Sequence, residues 1–228
     1  MDERALKRGT LFVVATPIGN LEDITLRAIR VLKEASLIAA EDTRVAKKLM
    51  SHYAVAVPLT SYFEHNETEK APGLIERMKG GADVALISDA GTPGISDPGY
   101  RLIRLAVENS IPVVPVPGPS ALISVLSVSG LPAGEFTFKG FVPSADGKRK
   151  RFFLGLKGRS HTYIMYESAR RLMETLDTVI DILGDVDVVI GREVTKLHEE
   201  VMRGKVSALR EGLGDLRAHP DPSFGWVP

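Results

Sequence analysis

Cysteine is absent from the 228 residues, which excludes disulfides, zinc thiolates and thiol catalysis. Long apolar runs are also lacking: none approaches the length of a membrane span, and residues 1–8 are charged, so no signal peptide is expected. Net charge is missing as well, because 29 Lys and Arg balance 29 Asp and Glu. A nucleic-acid partner would therefore need a local basic patch. These absences predict a cytoplasmic protein without a membrane partner.

Several motifs of common enzyme classes are missing too. The chain has no Gly-x-x-x-x-Gly-Lys-Ser/Thr loop and no Gly-x-Gly-x-x-Gly after a strand, which argues against ordinary nucleoside triphosphate and dinucleotide binding. It has no Gly-x-Ser-x-Gly nucleophile turn. The histidines lack metal-ligand spacing, so no metal site is predicted.

What is present is a regular alternation of short apolar runs with amphipathic segments. The content of 44% hydrophobic and 25% charged residues is ordinary for a globular protein. Predicted strands are 11–15, 37–40, 57–62, 84–87, 113–116, 136–141, 163–166 and 186–190, and predicted helices are 26–34, 45–53, 74–79, 100–109, 121–129, 148–156 and 170–183. Strands that alternate with helices predict an α/β fold with parallel sheets.

A stiff corner divides this alternation into two halves. Pro117, Gly118 and Pro119 follow the strand 113–116, and the composition changes after them. We therefore predict an N-terminal α/β domain of residues 1–117 and a C-terminal α/β domain of residues 118–228. Three prolines in residues 219–228 predict a loose tail.

The most informative stretch is 88–99, Ser-Asp-Ala-Gly-Thr-Pro-Gly-Ile-Ser-Asp-Pro-Gly, between a predicted strand and a predicted helix. Its three glycines and two prolines fix the backbone, and its aspartates and hydroxyls remain available to a ligand. In open α/β sheets, ligands bind at the carboxyl ends of the strands, where this loop must lie. The stretch predicts a ligand loop; the alternative is a rigid turn whose aspartates only cap.

Several stretches together resemble one known family. They are Ala-Thr-Pro-Ile-Gly-Asn-Leu at 15–21, Ala-Glu-Asp-Thr-Arg at 40–44, the loop 88–99, Pro-Gly-Pro-Ser-Ala at 117–121, Gly-Phe-Val-Pro at 140–143, Tyr-Glu-Ser at 166–168 and Arg-Glu-Val-Thr-Lys at 192–196. The chain is similar, in order over 10–213, to the tetrapyrrole-methylase superfamily, and within it to the branch of small-subunit rRNA (cytidine-2′-O)-methyltransferases.

The resemblance implies two α/β domains with S-adenosylmethionine bound in the cleft between them, methyl transfer as the reaction, small-subunit rRNA or the assembled subunit as substrate, and a homodimer. The cofactor-binding positions that it implies are Pro17, Asp89, Ala90, Gly91, Thr92, Pro93, Ser120, Ala121, Tyr166 and Glu193. Ser120 and Ala121 begin a predicted helix, where backbone N–H groups can meet a carboxylate. For Tyr166, a core aromatic at a strand end is an equal alternative.

A ribose hydroxyl is a poor acid, so its methylation requires a proton acceptor or a cation near the oxygen. The candidates at predicted strand ends are Glu41, Asp42, Arg44, Asp97 and Lys196. One carboxylate of the 41–44 segment would hold the hydroxyl, and Arg44 would bind a phosphate. The alternatives are a helix cap at Asp42, a surface arginine at 44 and a solvated lysine at 196.

The densest basic run is Lys148, Arg149, Lys150 and Arg151, beside two phenylalanines. Such a run is either a solvated surface or a phosphate contact, and the resemblance favours contact with RNA.

Two other functions stay open from the sequence. One is a superfamily methyltransferase that acts on a tetrapyrrole or a protein side chain, and the other is a non-catalytic module that binds RNA or a nucleotide. One stretch departs from the family pattern: residues 214–228 lack the Gly-Glu-led apolar strand with which family members close.

Overall fold

The computed structural model describes residues 8–218. The chain divides into two units, of which the first ends at Ala121 and the second begins at Leu122. The strands are β1 (Leu11–Val14), β2 (Leu37–Ala40), β3 (Leu59–Ser61), β4 (Val84–Ile87), β5 (Val113–Val116), β6 (Phe136–Phe141), β7 (Thr162–Tyr166), β8 (Asp187–Arg192) and β9 (Glu200–Lys205). The helices are α1 (Leu26–Glu34), α2 (Thr43–His52), α3 (Glu67–Lys79), α4 (Tyr100–Glu108), α5 (Ala121–Ser129), α6 (Asp146–Leu154), α7 (Leu172–Leu183) and α8 (Val206–Ala218), with a 3₁₀ turn at Leu21–Asp23. No helix within residues 8–218 is long and apolar enough to cross a membrane.

The first unit is built on a parallel sheet in the order β3-β2-β4-β1-β5. Leu11 of β1 is level with Val84 of β4 and with Val113 of β5, so the strands start together. All four residues of β2 and of β4 are buried, which is the uniform burial of central parallel strands covered on both faces. The α/β fold predicted from the sequence is confirmed, and in this unit the sheet is parallel as predicted, so the loops that follow the strands gather at one edge of the sheet.

The core of the first unit lies on both faces of this sheet because side chains alternate along each strand. On one face Ala85 and Ile87 of β4 pack with α1 and α2. On the other face Val84 and Leu86 pack with α3 and α4. The backbone of β4 is thereby held from both sides, and the loop that follows it starts from a fixed point.

The second unit combines the parallel pair β6-β7 with the antiparallel pair β8-β9. Its core joins Phe153 of α6, Leu176 of α7 and Val206 of α8, and Tyr163 and Met165 of β7 pack against them. The sequence reading missed β9 and α8. Charged and glycine positions interrupt the apolar pattern of β9, and its order comes from pairing with β8.

Four helix starts differ from the prediction. Helix α2 begins at Thr43 rather than at residue 45, and α7 begins at Leu172 rather than at residue 170. Helix α3 begins at Glu67 rather than at residue 74, although Pro72 lies inside it. Its buried residues Ala71, Leu74, Ile75 and Met78 form a helical stripe, and their packing outweighs the proline. Helix α6 begins at Asp146 and ends at Leu154, two residues before the predicted 148–156 at each end. The predicted loose tail 219–228 lies outside the described residues.

Candidate functional site

The segment after β2 carries Glu41, Asp42 and Arg44. The Asp42 carboxylate caps α2 by accepting a hydrogen bond of 2.7 Å from the Arg44 N–H. The Arg44 guanidinium also donates to both oxygens of this carboxylate, from Nε to Oδ1 at 3.1 Å and from Nη2 to Oδ2 at 2.7 Å. These bonds lower the pKa of Asp42 to about 2. The helix cap considered for Asp42 is therefore confirmed, and Arg44 is a largely exposed cation, its side chain 89% accessible.

The loop 88–99 is fastened to the end of β1. Thr16 and Gly91 exchange two backbone hydrogen bonds, with N to O distances of 2.9 and 3.0 Å. The Thr16 hydroxyl donates to the Ser88 carbonyl at 3.1 Å. Gly91 takes φ +81°, which a residue with a side chain rarely adopts, so the glycine is required for this turn. The loop is thus a rigid turn at the carboxyl edge of the sheet.

Reciprocal hydrogen bonds join this loop to the segment after β2. The Asp89 N–H donates to Glu41 Oε2 at 3.3 Å, and the Asp42 N–H donates to Asp89 Oδ1 at 3.0 Å. Because β2 and β4 are neighbours, their two loops meet, and three predicted site residues that are far apart in sequence come together.

Three carboxylates in these loops, Glu41, Asp89 and Asp97, have raised pKa values and are therefore weaker acids than usual. Partial burial raises the pKa of Glu41, and the charges of Asp89, Asp97 and Asp42 raise it further, against a lowering by the Asp89 N–H. Burial likewise raises the pKa values of Asp89 and Asp97. Such carboxylates are better proton acceptors than ordinary ones and attract positive charge. We call Glu41, Asp42, Asp89 and Asp97 the strand-end carboxylates.

The segment after β5 lies against the same loops. A Cβ at Gly118 would stand 3.1 Å from the Ala15 Cβ, so glycine permits a close approach to the end of β1. The Thr92 hydroxyl lies 3.5 Å from the Pro119 carbonyl oxygen. The predicted positions of the first unit are therefore neighbours. Among them Ala90 is exposed, Pro17, Thr92, Ser120 and Ala121 are half-buried, and Pro93 is buried.

Sequence reasoning missed Glu67, the first residue of α3. Its Oε1 accepts a hydrogen bond of 2.8 Å from the Gly99 N–H and so holds the far end of the loop 88–99. Gly99 takes φ +140°, and a Cβ there would stand 3.0 Å from Leu86 Cδ2. The available signal was the glutamate at a helix start, but its partner lies 32 residues away in the chain.

The second unit holds the remaining predicted positions. Tyr166 ends β7, half-buried, with its ring centroid 5.1 Å from that of Phe138. Glu193 follows β8 at φ +47° and pairs with Lys196, Nζ to Oε2 being 3.1 Å. Lys196 is thus an ion-paired lysine at a half-exposed position.

The basic run does not act as one surface. Lys148, Lys150 and Arg151 are exposed on α6, but Arg149 is buried. Its guanidinium bonds Thr178 Oγ1 at 3.1 Å and pairs with Glu174 at 3.2 Å, which ties α6 to α7. The prediction that all four cations face RNA is corrected at Arg149, because on a helix adjacent residues point in different directions.

Comparison with known proteins decides the family. The model of the family described as tetrapyrrole (corrin/porphyrin) methylases matches residues 10–210. This chain belongs to the tetrapyrrole methylases. Two relatives with the name ribosomal RNA small subunit methyltransferase I are similar to this methylase. The one from Halalkalibacterium halodurans is 50% identical over 197 residues, covering 86% of this chain and 68% of that protein. The one from Thermotoga maritima is 47% identical over 199 residues, covering 87% and 89%.

Solved structures agree on the fold of this methylase. A uroporphyrin-III-C-methyltransferase from Thermus thermophilus superposes with a TM-score of 0.61 at 21% identity, covering 94% of this chain and 92% of that one. A diphthine synthase superposes with a TM-score of 0.65 at 14% identity, covering 89% and 84%. At these identities the likeness concerns the fold alone.

Proposed function

We propose that this tetrapyrrole methylase transfers a methyl group from S-adenosylmethionine to the ribose 2′-oxygen of a cytidine in small-subunit rRNA. One observation carries the proposal: proteins named ribosomal RNA small subunit methyltransferase I are 43–50% identical to it across 86–91% of its length. The substrate is either the naked rRNA or the assembled subunit, and the experiment below uses both.

The residues at the carboxyl edge of the first sheet fit this cofactor. When bound, S-adenosylmethionine supplies a methyl group on a positively charged sulfonium, and it also carries an ammonium group. The strand-end carboxylates offer negative charge to such a ligand, and the loop of Asp89, Ala90, Gly91, Thr92 and Pro93 offers backbone and hydroxyl groups. Pro17, Ser120 and Ala121 border the same loops, and Tyr166 and Glu193 stay predictions for the second unit.

Within the 41–44 segment, Glu41 is better suited than Asp42 to accept the hydroxyl proton. Asp42 is held by Arg44 and has a lowered pKa, so it is a weak base. The raised pKa of Glu41 makes it the stronger base. In the step that we propose, Glu41 would accept the proton of the 2′-hydroxyl as that oxygen takes the methyl group that S-adenosylmethionine would supply, and the donor would leave as a neutral thioether. The exposed Arg44 holds a neighbouring phosphate.

The test is transfer of tritiated methyl groups to small subunits and to naked small-subunit rRNA, followed by mass mapping of ribose methylation. We expect one methylated cytidine with the wild-type chain. Glu41→Gln should lower kcat about 10²–10⁴-fold, the usual contribution of a general base, with cofactor binding kept. Glu22→Gln, on the exposed 3₁₀ turn, is the matched control. Methyl transfer to a tetrapyrrole or a protein, or no transfer at all, would refute the function.

Cofactor binding has its own test by calorimetry. Asp89→Ala combined with Gly91→Val should abolish binding of S-adenosylmethionine, because it removes a carboxylate and forces the turn out of φ +81°. Gly134→Val is the control, since a side chain there meets only open space. Equal binding by the double variant and the wild type would exclude this loop as the cofactor site.

In this proposal Lys148, Lys150 and Arg151 bind RNA phosphates, and Arg44 binds a phosphate close to the proposed proton acceptor Glu41. Each lost phosphate contact lowers the logarithmic salt slope by ~0.7 for single strands. Replacing the three α6 cations with serine should therefore flatten the slope by about 2 and leave cofactor binding unchanged. An unchanged slope would mean that these cations are only solvated.

We also propose a homodimer that works in the cytoplasm, where its ribosomal substrate is found. Helix α5 is apolar along most of its length, and Ile123 and Val128 on it are half exposed, which supports a covered surface. Light scattering should give twice the 24.7 kDa of one chain. A mass equal to one chain at micromolar concentration would refute the dimer.

A further inference from the structure

An exposed aromatic ring stands at the carboxyl end of β6. Phe141 is 58% exposed, although it ends a strand whose next residue, Val142, is buried. The pairing of β6 with β7 explains this position. Phe138 is level with Ile164 and Phe141 with Tyr166, so β6 uses one residue more than β7 over this step. The extra residue makes a β-bulge, in which Gly140 takes φ +66°. A bulge of this kind re-aims a side chain.

The ring of Phe141 is held on a rigid base. The Val142 N–H donates to the Tyr166 carbonyl at 3.0 Å, and the Val142 carbonyl accepts from Arg171 Nη1 at 3.2 Å. The Phe141 ring itself contacts the Tyr166 ring at a centroid distance of 5.3 Å, tilted by 55°. The backbone on its carboxyl side and one part of the ring are therefore fixed, while most of the ring surface meets solvent.

Exposed cations are close to this ring in the sequence. Lys139, two residues before it, is exposed, and its Nζ lies 5.8 Å from the centroid of Phe152 on α6. That contact links β6 to the helix that carries Lys148 and Arg151. An exposed planar ring together with exposed cations is the combination that binds single-stranded nucleic acid, since bases stack on the ring and phosphates pair with the cations.

We propose that Phe141 is a stacking platform for an unpaired base of the RNA substrate. The inference rests on the proposed function and adds to it a base contact on the second unit, separate from the phosphate contacts of α6. An unstacked base suits the reaction, because enzymes that act on a nucleotide take it out of the stack or bind it single-stranded. The bulge at Gly140 is then the device that exposes the ring.

The test is fluorescence anisotropy of a labelled 12-nucleotide oligocytidylate bound by the full chain, with an abasic ribose-phosphate strand of equal length as second probe. Phe141→Ala should weaken oligocytidylate binding about 5- to 150-fold, which corresponds to ~1–3 kcal/mol per stacked base. Phe141→Trp should restore it. Phe136→Ala, at the exposed start of the same strand, is the matched control and should change nothing.

Three further readouts identify stacking as the cause. The salt slope of Phe141→Ala should equal that of the wild type, its melting temperature should stay the same because the ring is exposed, and its affinity for the abasic strand should not fall. Equal oligocytidylate affinity of Phe141→Ala and Phe136→Ala would overturn the inference, as would loss of S-adenosylmethionine binding with RNA binding kept. If either of these two results is obtained while the wild-type chain still methylates small subunits, the stacking inference fails but the proposed function stands. If it neither binds RNA nor transfers a methyl group, both proposals fail.

Discussion

A substitution at Arg149 tests the packing of the second unit most directly. Arg149 belongs to the basic run 148–151, but its side chain is buried. Its side chain is only 6% exposed, and its guanidinium has partners on α6, on α7 and in the loop before α6. It donates to Thr178 Oγ1 at 3.1 Å and to the Ser144 carbonyl at 3.3 Å. It also pairs with Asp146 and Glu174, each at 3.2 Å. Replacing Arg149 with alanine removes all of these contacts.

The loss of unfolding free energy in Arg149→Ala depends on which partners of Arg149 remain buried without it. Asp146 and Glu174 are 61% and 63% exposed, so water solvates them once Arg149 is gone, and each pair contributes only ~0–1 kcal/mol. The hydrogen bonds to Thr178 and Ser144 contribute ~0.5–1.5 kcal/mol each. Loss of the buried methylenes adds ~0.8 kcal/mol apiece. We expect Arg149→Ala to lower the free energy of unfolding by about 3 kcal/mol.

Thermal unfolding followed by circular dichroism measures this loss. For a chain of this size 1 kcal/mol shifts the melting temperature by roughly 2–4 °C, so Arg149→Ala should melt about 6–12 °C lower. Lys150→Ala is the control on the same helix, because its exposed pair with Asp146 contributes at most ~1 kcal/mol. Arg149→Met, which keeps the apolar stem, should recover part of the loss. If Arg149→Ala and Lys150→Ala melt together, or if Arg149→Ala flattens the salt dependence of RNA binding, the structural role is refuted.

Three shorter predictions concern the first unit. Thr25→Ala should cost ~1 kcal/mol in urea unfolding, because it removes the cap that accepts from the Ala28 N–H at 3.0 Å. Gly99→Ala should cost ~1–3 kcal/mol and weaken cofactor binding, since φ +140° strains any side chain; wild-type values for both would contradict the loop geometry. Burial raises the pKa of Asp97, so the wild type loses stability as pH rises from the ordinary aspartate value of ~3.9 through the raised one. Asp97→Asn should therefore be more stable than the wild type at neutral pH, with the gain disappearing below pH ~4, and a gain that persists there would exclude this cause.

Local sequence signals predicted the elements that have strong patterns of their own. The apolar runs at β2 and β4 are short and uninterrupted, which is how a strand covered on both faces must read, and both were located to the residue. Thr25 caps α1 by accepting from the Ala28 N–H, a contact that local sequence can specify because it joins residues only three positions apart. Helix α3 was shortened in the prediction because Pro72 breaks the local pattern, whereas its buried stripe becomes visible only against the sheet.

In the loops of the candidate site, too, local features followed from the sequence and contacts between distant residues did not. Glycines, prolines and aspartates in residues 88–99 predicted from composition alone a rigid polar turn after a strand, and the positive φ at Gly91 is what those glycines permit. The partners of the loop did not follow from the sequence. That Asp89 bonds Glu41 and Asp42 depends on β2 and β4 being neighbours, and strand order is a property of the whole sheet.

The exposure of charged side chains was the hardest property to predict from the sequence, for a physical reason. A run of four cations looks uniform in the sequence, but a helix turns each successive residue by about 100°, so one of them meets the core while the others meet solvent. Arg149 could enter the core only because Thr178 and Glu174 on another helix stand where its donors point. The sequence by itself determined which residues are charged, which are apolar and where the backbone must bend. The tertiary structure decided which charges distant in the sequence meet, as Arg149 meets Glu174, because such residues come together only when the helices pack.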